Sequence, residues 1–320
     1  MGDSAIHALA GSVGGCVSMA LTYPLVNLST RAAVQTKKEH LTIPQAIAKT
    51  LKEEGVAGLY SGLSSSLFGI AVTNGVYYAF YEETRSILIG RRPKTSTSPS
   101  ALSTSEGIIA GLLAGSITTL VTNPIWTVQT AQSTRAITLR EGDDGKVKKI
   151  KPSGLEAARE IIVKDGIKGL WRGIGPALVL VINPVIQYTT FERLVSVLLT
   201  YRIAKKGITS TGTTAGTGRS SLSDWDMFML GAVSKLVATG GTYPYIVVKS
   251  RLQAATHKYE SSVKAILHIL KSEGLSGLYA GLLPKLIQSV LTAAFMFVAQ
   301  RRIYEAVKKV RIISSSVRLN

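Results

Sequence analysis

Two lysines stand where lysines are costly. Lys235 interrupts an otherwise uncharged run from Met227 to Val248, and Lys285 interrupts another from Leu282 to Gln300. A cation inside an apolar span is a functional candidate by default. Its chemistry is to hold an anionic group, phosphate above all, as a point charge. The competing reading is packing, with the lysine snorkelling to an edge or pairing internally. Lys249, Arg31 and Arg251 lie at the ends of similar runs and complete the set of phosphate candidates. Amides supply the second chemistry. Asn74, Asn183, Gln187 and Gln288 offer donors and acceptors together, as the edge of a planar base requires. Asn183 precedes Pro184 and has the alternative task of satisfying backbone freed by that proline.

Catalysis and metal binding find no comparable support. Cys16 is the single cysteine, and His7, His40, His257 and His268 are scattered, so no nucleophile–base–orienter set and no metal site can be assembled. No cofactor is expected. Lys plus Arg is 37 against 19 for Asp plus Glu, a net charge of +18, yet only 18% of residues are charged. The apolar content excludes a disordered basic tail. Nucleic acid is not expected as a partner, because the aromatic and basic motifs of such domains are missing. Anionic lipid or an anionic substrate accounts for the charge. The opening residues carry Asp3 and no basic n-region, so a cleavable signal is not expected.

The elements that must position these residues are long helices. Ser4–Thr30, Gly55–Tyr81, Gly107–Thr134 and Gly173–Phe191 contain no Asp, Glu, Lys or Arg. Each reaches the roughly 20 residues a bilayer-crossing helix needs. With the two lysine-bearing runs they make six candidate spans. Their Ser, Thr, Gly, Asn and Gln content suits helices with one face on lipid and one on other helices or water. A soluble helical solenoid is the weaker alternative.

The chain repeats three times. Tyr23-Pro24-Leu25, Asn123-Pro124-Ile125 and Tyr243-Pro244-Tyr245 align on a proline, and an acidic-Gly signature follows each. These signatures are Glu54-Gly55 to Gly62, Asp165-Gly166 to Gly173, and Glu273-Gly274 to Gly281. The proline-to-acid distances are 30, 41 and 29 residues, the long one reflecting an insertion at 135–151. Repeat one covers 4–90, a linker 91–105, repeat two 106–204, a second linker 205–223, and repeat three 224–310. In each, a spanning helix is expected to end at a proline kink. A short amphipathic helix follows, at 42–53, 153–164 and 260–272, the last with Val263, Ile266, Leu267 and Leu270 on its apolar face. A second spanning helix then returns. Gly11 with Gly15, and Gly111 with Gly115, have the small-xxx-small spacing of close helix contacts; Lys235 takes the second place in repeat three.

A proline motif and an acidic-Gly-aromatic-x-Gly motif in three copies resemble the mitochondrial carrier family over nearly the whole chain. The resemblance implies an all-α membrane protein, six transmembrane helices in three pseudo-symmetric repeats with three short matrix-side helices. It also implies alternating access to one central site in a bilayer, most simply as a monomer. The family's matrix gate is Pro-x-acid-x-x-base. Here the acid positions hold Val26, Trp126 and Ile246, and the base positions Ser29, Gln129 and Lys249. No salt-bridge ring can form, so this gate is expected to close by apolar contact, with Trp126 set against Lys249 as a cation–π pair. The cytosolic gate motif gives a partial network from Glu82, Arg85, Glu192 and Arg301.

The resemblance further implies substrate contacts about seven residues past each signature glycine, at Gly69-Ile70, Leu180-Val181 and Gln288-Ser289. None is arginine, so carboxylate clamps are absent. Within the family, Asn183 to Tyr188, Gly231 to Lys235 and Leu286 to Phe297 resemble the peroxisomal adenine nucleotide carriers. The implied function is exchange of ATP for ADP or AMP across an organelle membrane, the peroxisomal membrane before the mitochondrial inner membrane. Carriers of coenzyme A, FAD or NAD are the nearest alternative, and a non-transporting membrane adaptor the next.

Overall fold

Proline does not end the long helices. The computed structural model describes residues 3–35, 41–90, 102–134, 138–141, 147–150, 153–205, 222–254, 259, 261–292 and 295. In it α1 (Asp3–Val34), α4 (Thr104–Thr134) and α8 (Asp224–Gln253) each carry their proline inside the helix. About ten further helical residues follow Pro24, Pro124 and Pro244, where the repeat pattern predicted a stop. Two residues before each proline a threonine hydroxyl bonds the carbonyl four residues back: Thr22 to Ser18, Thr122 to Thr118 and Thr242 to Ala238, each at 2.8 Å. Such back-bonding lets a helix bend and continue.

The remaining elements follow the expected order. α2 (Ile43–Leu59) precedes α3 (Leu63–Gly90). α5 (Gly154–Asp165), a 3-10 turn Ile167–Trp171, α6 (Ile174–Val179), a second turn Leu180–Ile182 and α7 (Asn183–Lys205) complete the middle third. α9 (Ser262–Glu273), α10 (Leu275–Leu278) and a helix over 282–292 close the described chain. The insertion after α4 is a correction to an all-α reading. β1 (Thr138–Glu141) and β2 (Val147–Ile150) pair antiparallel, Thr138 opposite Ile150. Four-residue strands leave no helical period to read, and the sequence showed only an insertion there.

The short helices lie where amphipathic periodicity put them. Ser153 and Glu156 cap α5 reciprocally, and the Ser261 hydroxyl caps α9. The face they bury is narrower than the pattern indicated. Ala157 with Ile161, and Ala265 with Ile269, point inward, whereas Val263, Leu267 and Leu270 remain exposed. An outward apolar face is what a helix lying at a bilayer edge requires.

By length and composition two described helices can cross a membrane, Thr104–Thr134 and Ile167–Ala204. The pair Ile43–Leu59 and Leu63–Gly90, bent by 48°, passes when taken as one. α1 and α8 reach 32 and 30 residues, but Lys235 and the polar run from Thr239 to Tyr245 lower the apolar content of α8.

α1, α4 and α8 meet pairwise, while α3 packs on α4 and α7 on α8. Their junctions are cyclic. A Cβ built at Gly62 would lie 3.2 Å from the Gln129 carbonyl, one at Gly173 3.0 Å from the Lys249 carbonyl, and one at Gly281 2.5 Å from the Ser29 carbonyl. Each glycine closes one acidic-Gly signature and meets the next proline helix, the last returning to the first. All three have positive φ, between 71° and 86°, so left-handed backbone and steric room both demand glycine.

Arginine–carboxylate clamps brace two junctions. Arg31 grips Glu54 with both terminal nitrogens, at 2.9 and 2.6 Å, while its Nε donates to the Ser133 carbonyl at 2.8 Å. Arg251 grips Glu273 in the same way and donates to the Ala33 carbonyl at 3.0 Å. The third junction has Ala131 in the arginine's place. There Asp165 pairs with Arg172, and the Gln253 side chain bridges Thr130 and Asn123 at 3.1 and 3.3 Å. At the other end of the helices Asp226 joins Arg202 at 2.7 Å. The Ser223 backbone N–H and then the Arg202 side chain hold its carboxyl below the usual range.

Gly281→Ala is expected to lower stability by about 1–3 kcal/mol from backbone strain alone, with the carbonyl clash added. Gly15→Ala, where no atom of another element among the described residues lies within 4 Å of the new methyl, is expected to gain roughly 0.5–1 kcal/mol as a helical Gly-to-Ala change. Thermal unfolding of the detergent-solubilised protein checks both; equal midpoints would contradict the cyclic-contact account.

Candidate functional site

A cavity of about 830 Å³ opens between α3, α4 and the α6–α7 segment, with Lys249 of α8 in its wall. α3 contributes Thr73, Asn74, Tyr77, Tyr81 and Arg85. Residues 73, 77, 81 and 85 are four apart and therefore share one helical face. α4 contributes a glycine and threonine face, Gly107, Gly111, Gly115, Thr118, Thr119 and Thr122, ending in Asn123 and Trp126. Val181, Pro184, Val185 and Tyr188 close the third side.

Of the residues singled out from sequence, Asn74, Trp126, Lys249, Arg85 and the pair Leu180-Val181 come together in this lining. Gly69 instead seats the Trp126 ring, whose nearest carbon would lie 3.5 Å from an added Cβ. The Trp126 indole N–H donates to Thr73 at 3.2 Å. No cation–π contact with Lys249 forms among the described residues, because the ring is turned to α3. Ile70 and Gln187 lie beside the cavity lining and are not part of it. Asn183 binds the Ala238 carbonyl at 3.1 Å and Thr242 at 2.8 Å, joining α7 to α8. That is the helix-bridging alternative. Gln288 donates to Thr292 at 2.8 Å, and Thr292 meets Thr22 at 2.9 Å. Its Oε1 is buried with no hydrogen-bond partner.

The cations divide into two kinds. Arg31 and Arg251 are clamped to carboxylates and lie outside the cavity lining. Their bidentate geometry uses the guanidinium fork fully, so they act as braces rather than as phosphate ligands. The three lysines behave differently. Lys249 lines the cavity, while Lys235 lies earlier on the same helix and Lys285 on the helix over 282–292, and neither of these two is part of the lining. Among the described residues none of the three has an ion-pair partner. A lysine without a counter-ion in a cavity wall is a candidate site for an anion.

The positions of the expected matrix gate are polar and hydrogen-bonded rather than simply apolar. Ser29 donates to the Gly281 carbonyl at 2.9 Å, and Gln129 donates to Tyr23 at 3.3 Å and to Ser133 at 3.0 Å. Val26 and Ile246 are half-buried. In the other set Glu82 and Arg85 pair with each other at 2.5 Å along one helix. The Glu192 Oε1 is buried, and Arg301 lies outside the described residues. The tyrosine face of α3 was missed in the sequence. Its signal was the four-residue spacing of Thr73, Tyr77 and Tyr81 within an uncharged run, continued by Arg85.

The aromatic of each signature also recurs in three dimensions. Tyr60 stacks on Tyr23 at 6.3 Å, Tyr279 on Tyr243 at 6.1 Å, and the Trp171 N–H caps the Leu120 carbonyl at 2.8 Å. A family model described as mitochondrial carrier protein matches the chain at residues 3–92, 100–202 and 220–313. The chain belongs to the mitochondrial carrier family. It is therefore a carrier and not an enzyme. Over 96% of its length this carrier is 32% identical to the peroxisomal nicotinamide adenine dinucleotide carrier of Arabidopsis thaliana, 97% of which is covered. It is 31% identical to the peroxisomal membrane protein PMP34 of Mus musculus, over 95% of the chain and 94% of the relative. Peroxisomal adenine nucleotide transporter 1 of Saccharomyces cerevisiae is 27% identical over 97% of the chain and 94% of the relative.

Arg251→Met leaves Glu273 without its cation and is expected to cost about 3–5 kcal/mol. Lys249→Gln removes an unpaired cation and is expected to leave the unfolding midpoint unchanged or raised. Thermal unfolding of the carrier in detergent without added nucleotide distinguishes the two; a comparable drop for both would reassign Lys249 to the bracing set.

Proposed function

We propose that this carrier exchanges adenine nucleotides, ATP for ADP or AMP, across the peroxisomal membrane. The observation that carries the reading is Lys249 in the cavity wall, without an acidic partner among the described residues, with Lys235 on the same helix and Lys285 on the helix over 282–292 as further cations. Phosphates meet these lysines, while Asn74 and the threonines of α4 face the nucleoside. Relatives named for adenine nucleotides and for nicotinamide adenine dinucleotide support a substrate with an adenylate part. Their peroxisomal names support the location.

In this reading the chain crosses the bilayer six times as a monomer, through α1, α3, α4, the α6–α7 segment, α8 and the helix that begins at 282. The three repeats occupy 4–90, 106–204 and 224–310, joined by linkers at 91–105 and 205–223. Alternation is driven by binding. The hydrogen-bonded ring through Ser29, Gln129 and the three junction glycines opens as one gate. Glu82, Arg85, Glu192 and Arg301 belong to the other.

A second reading is transport of NAD or another dinucleotide. It is favoured by the length of the cavity wall on α3. From Thr73 to Arg85 is 12 residues, about 18 Å of helix, long enough for two rings joined by a pyrophosphate.

Uptake into proteoliposomes preloaded with ATP, AMP, NAD or coenzyme A separates the readings. Exchange of ATP against AMP is expected; NAD exchange without ATP exchange would favour the second, and no exchange by correctly inserted protein would point to a membrane adaptor. Lys235→Ala is expected to insert normally and to lose about tenfold or more in nucleotide uptake, the loss of one charge-assisted phosphate contact of roughly 1.5–3 kcal/mol. Undiminished uptake would return Lys235 to packing.

A further inference from the structure

The face of α3 that lines the cavity carries two tyrosines that the phosphate chemistry does not use. Tyr77 and Tyr81 stack on one another, ring centroids 5.8 Å apart and planes 17° from parallel. Tyr78 meets Tyr77 edge-on at 5.9 Å and is itself 69% exposed on the outer side of the helix. Tyr77 is thus held from behind while its ring lines the cavity. α4 presents Gly107, Ile108, Gly111 and Leu112 to the same cavity. A Cβ at Gly111 would come 3.5 Å from the Tyr77 hydroxyl, and one at Gly107 would meet nothing within 4 Å. On the third side Tyr188, 44% exposed, lines the same space from α7. Tyrosines on two sides, with Gly107 and Gly111 leaving room on α4 between Ile108 and Leu112, make a recess suited to a flat ring.

The recess stands at the right remove from the cations. Tyr77 and Tyr81 lie one and two turns beyond Thr73, roughly 6 and 12 Å along α3, and Thr73 is tied to Trp126, which shares the cavity with Lys249. A bound molecule with phosphates at the lysine end places the other end of a nucleoside among the tyrosines.

We propose that Tyr77 and Tyr81, facing Tyr188 across the Gly107–Gly111 wall, form a stacking station for the planar base of the substrate. The proposal rests on the nucleotide reading above and deepens it. The station grips a π-face rather than a hydrogen-bonding edge. It therefore takes adenine or another heteroaromatic ring alike, and leaves discrimination between bases to amides such as Asn74.

The test uses the purified full-length carrier and two probes, ATP and tripolyphosphate, which shares the phosphates and lacks the base. Affinity is read from ligand-induced shifts in unfolding temperature. The wild type is expected to bind ATP more tightly than tripolyphosphate. Tyr77→Leu is expected to weaken ATP about tenfold with tripolyphosphate unchanged, and Tyr77→Phe to restore the difference. Tyr188→Leu, altering the other wall, gives the same readout if Tyr77→Leu does not fold. Should both leucine variants keep the wild-type preference for ATP, or the wild type bind the two probes equally, the station is overturned and the phosphate site stands. Binding of neither probe by the wild type would remove the nucleotide reading and the station together.

Discussion

A charge among apolar helices must find a counter-charge or wait for one. Every well-buried arginine described here has solved this problem inside the chain. Arg31 and Arg251 close bidentate clamps on Glu54 and Glu273 and use the remaining nitrogen on a neighbouring helix. Lys235, Lys249 and Lys285 have no ion-pair partner among the described residues. The compact ammonium on a flexible stem is poorly suited to bracing two elements at once, and well suited to meeting a mobile phosphate. The same electrostatic rule thus sorts the cations into those that hold the bundle together and those left for a passing anion.

The braces also show how closely the three thirds of the molecule copy one another. Three threonines relax three proline helices, three glycines admit three backbone carbonyls, and two tyrosines and one asparagine reach the carbonyls just before those glycines. Tyr23 bonds the Ser61 carbonyl at 3.0 Å, Tyr243 that of Ala280 at 3.1 Å, and Asn123 that of Arg172 at 3.1 Å. The copy fails at one place for a clear reason. Ala131 removes the arginine, so Asp165 turns to Arg172 and the vacant space is bridged by Gln253. A hydrogen-bonded amide replaces a doubly charged clamp there, and this is the least strongly tied of the three junctions.

The described lining of the cavity comes mostly from the first two repeats, with Lys249 reaching in from the third. Gly115 packs against Val181, so that an added Cβ would lie 2.7 Å from its methyl. At the matching position of the third repeat a lysine stands instead, and close packing gives way to charge.

Much of this was legible in one dimension. The uncharged runs, the triplicate Pro and acidic-Gly motifs, the caps of the short helices and the cost of Lys235 are all local properties, set by composition and by spacing along the chain. Pairing is not local. That Arg31 spends its charge on Glu54, that Trp126 turns to Thr73 and that Asn183 ties two helices depend on residues 23, 53 and 59 positions apart. The sequence determined which groups are present and the helical face each occupies, because helical period is intrinsic to the backbone. Only the tertiary structure decided which charges are neutralised and which stay open to a ligand, because neutralisation depends on distance in space.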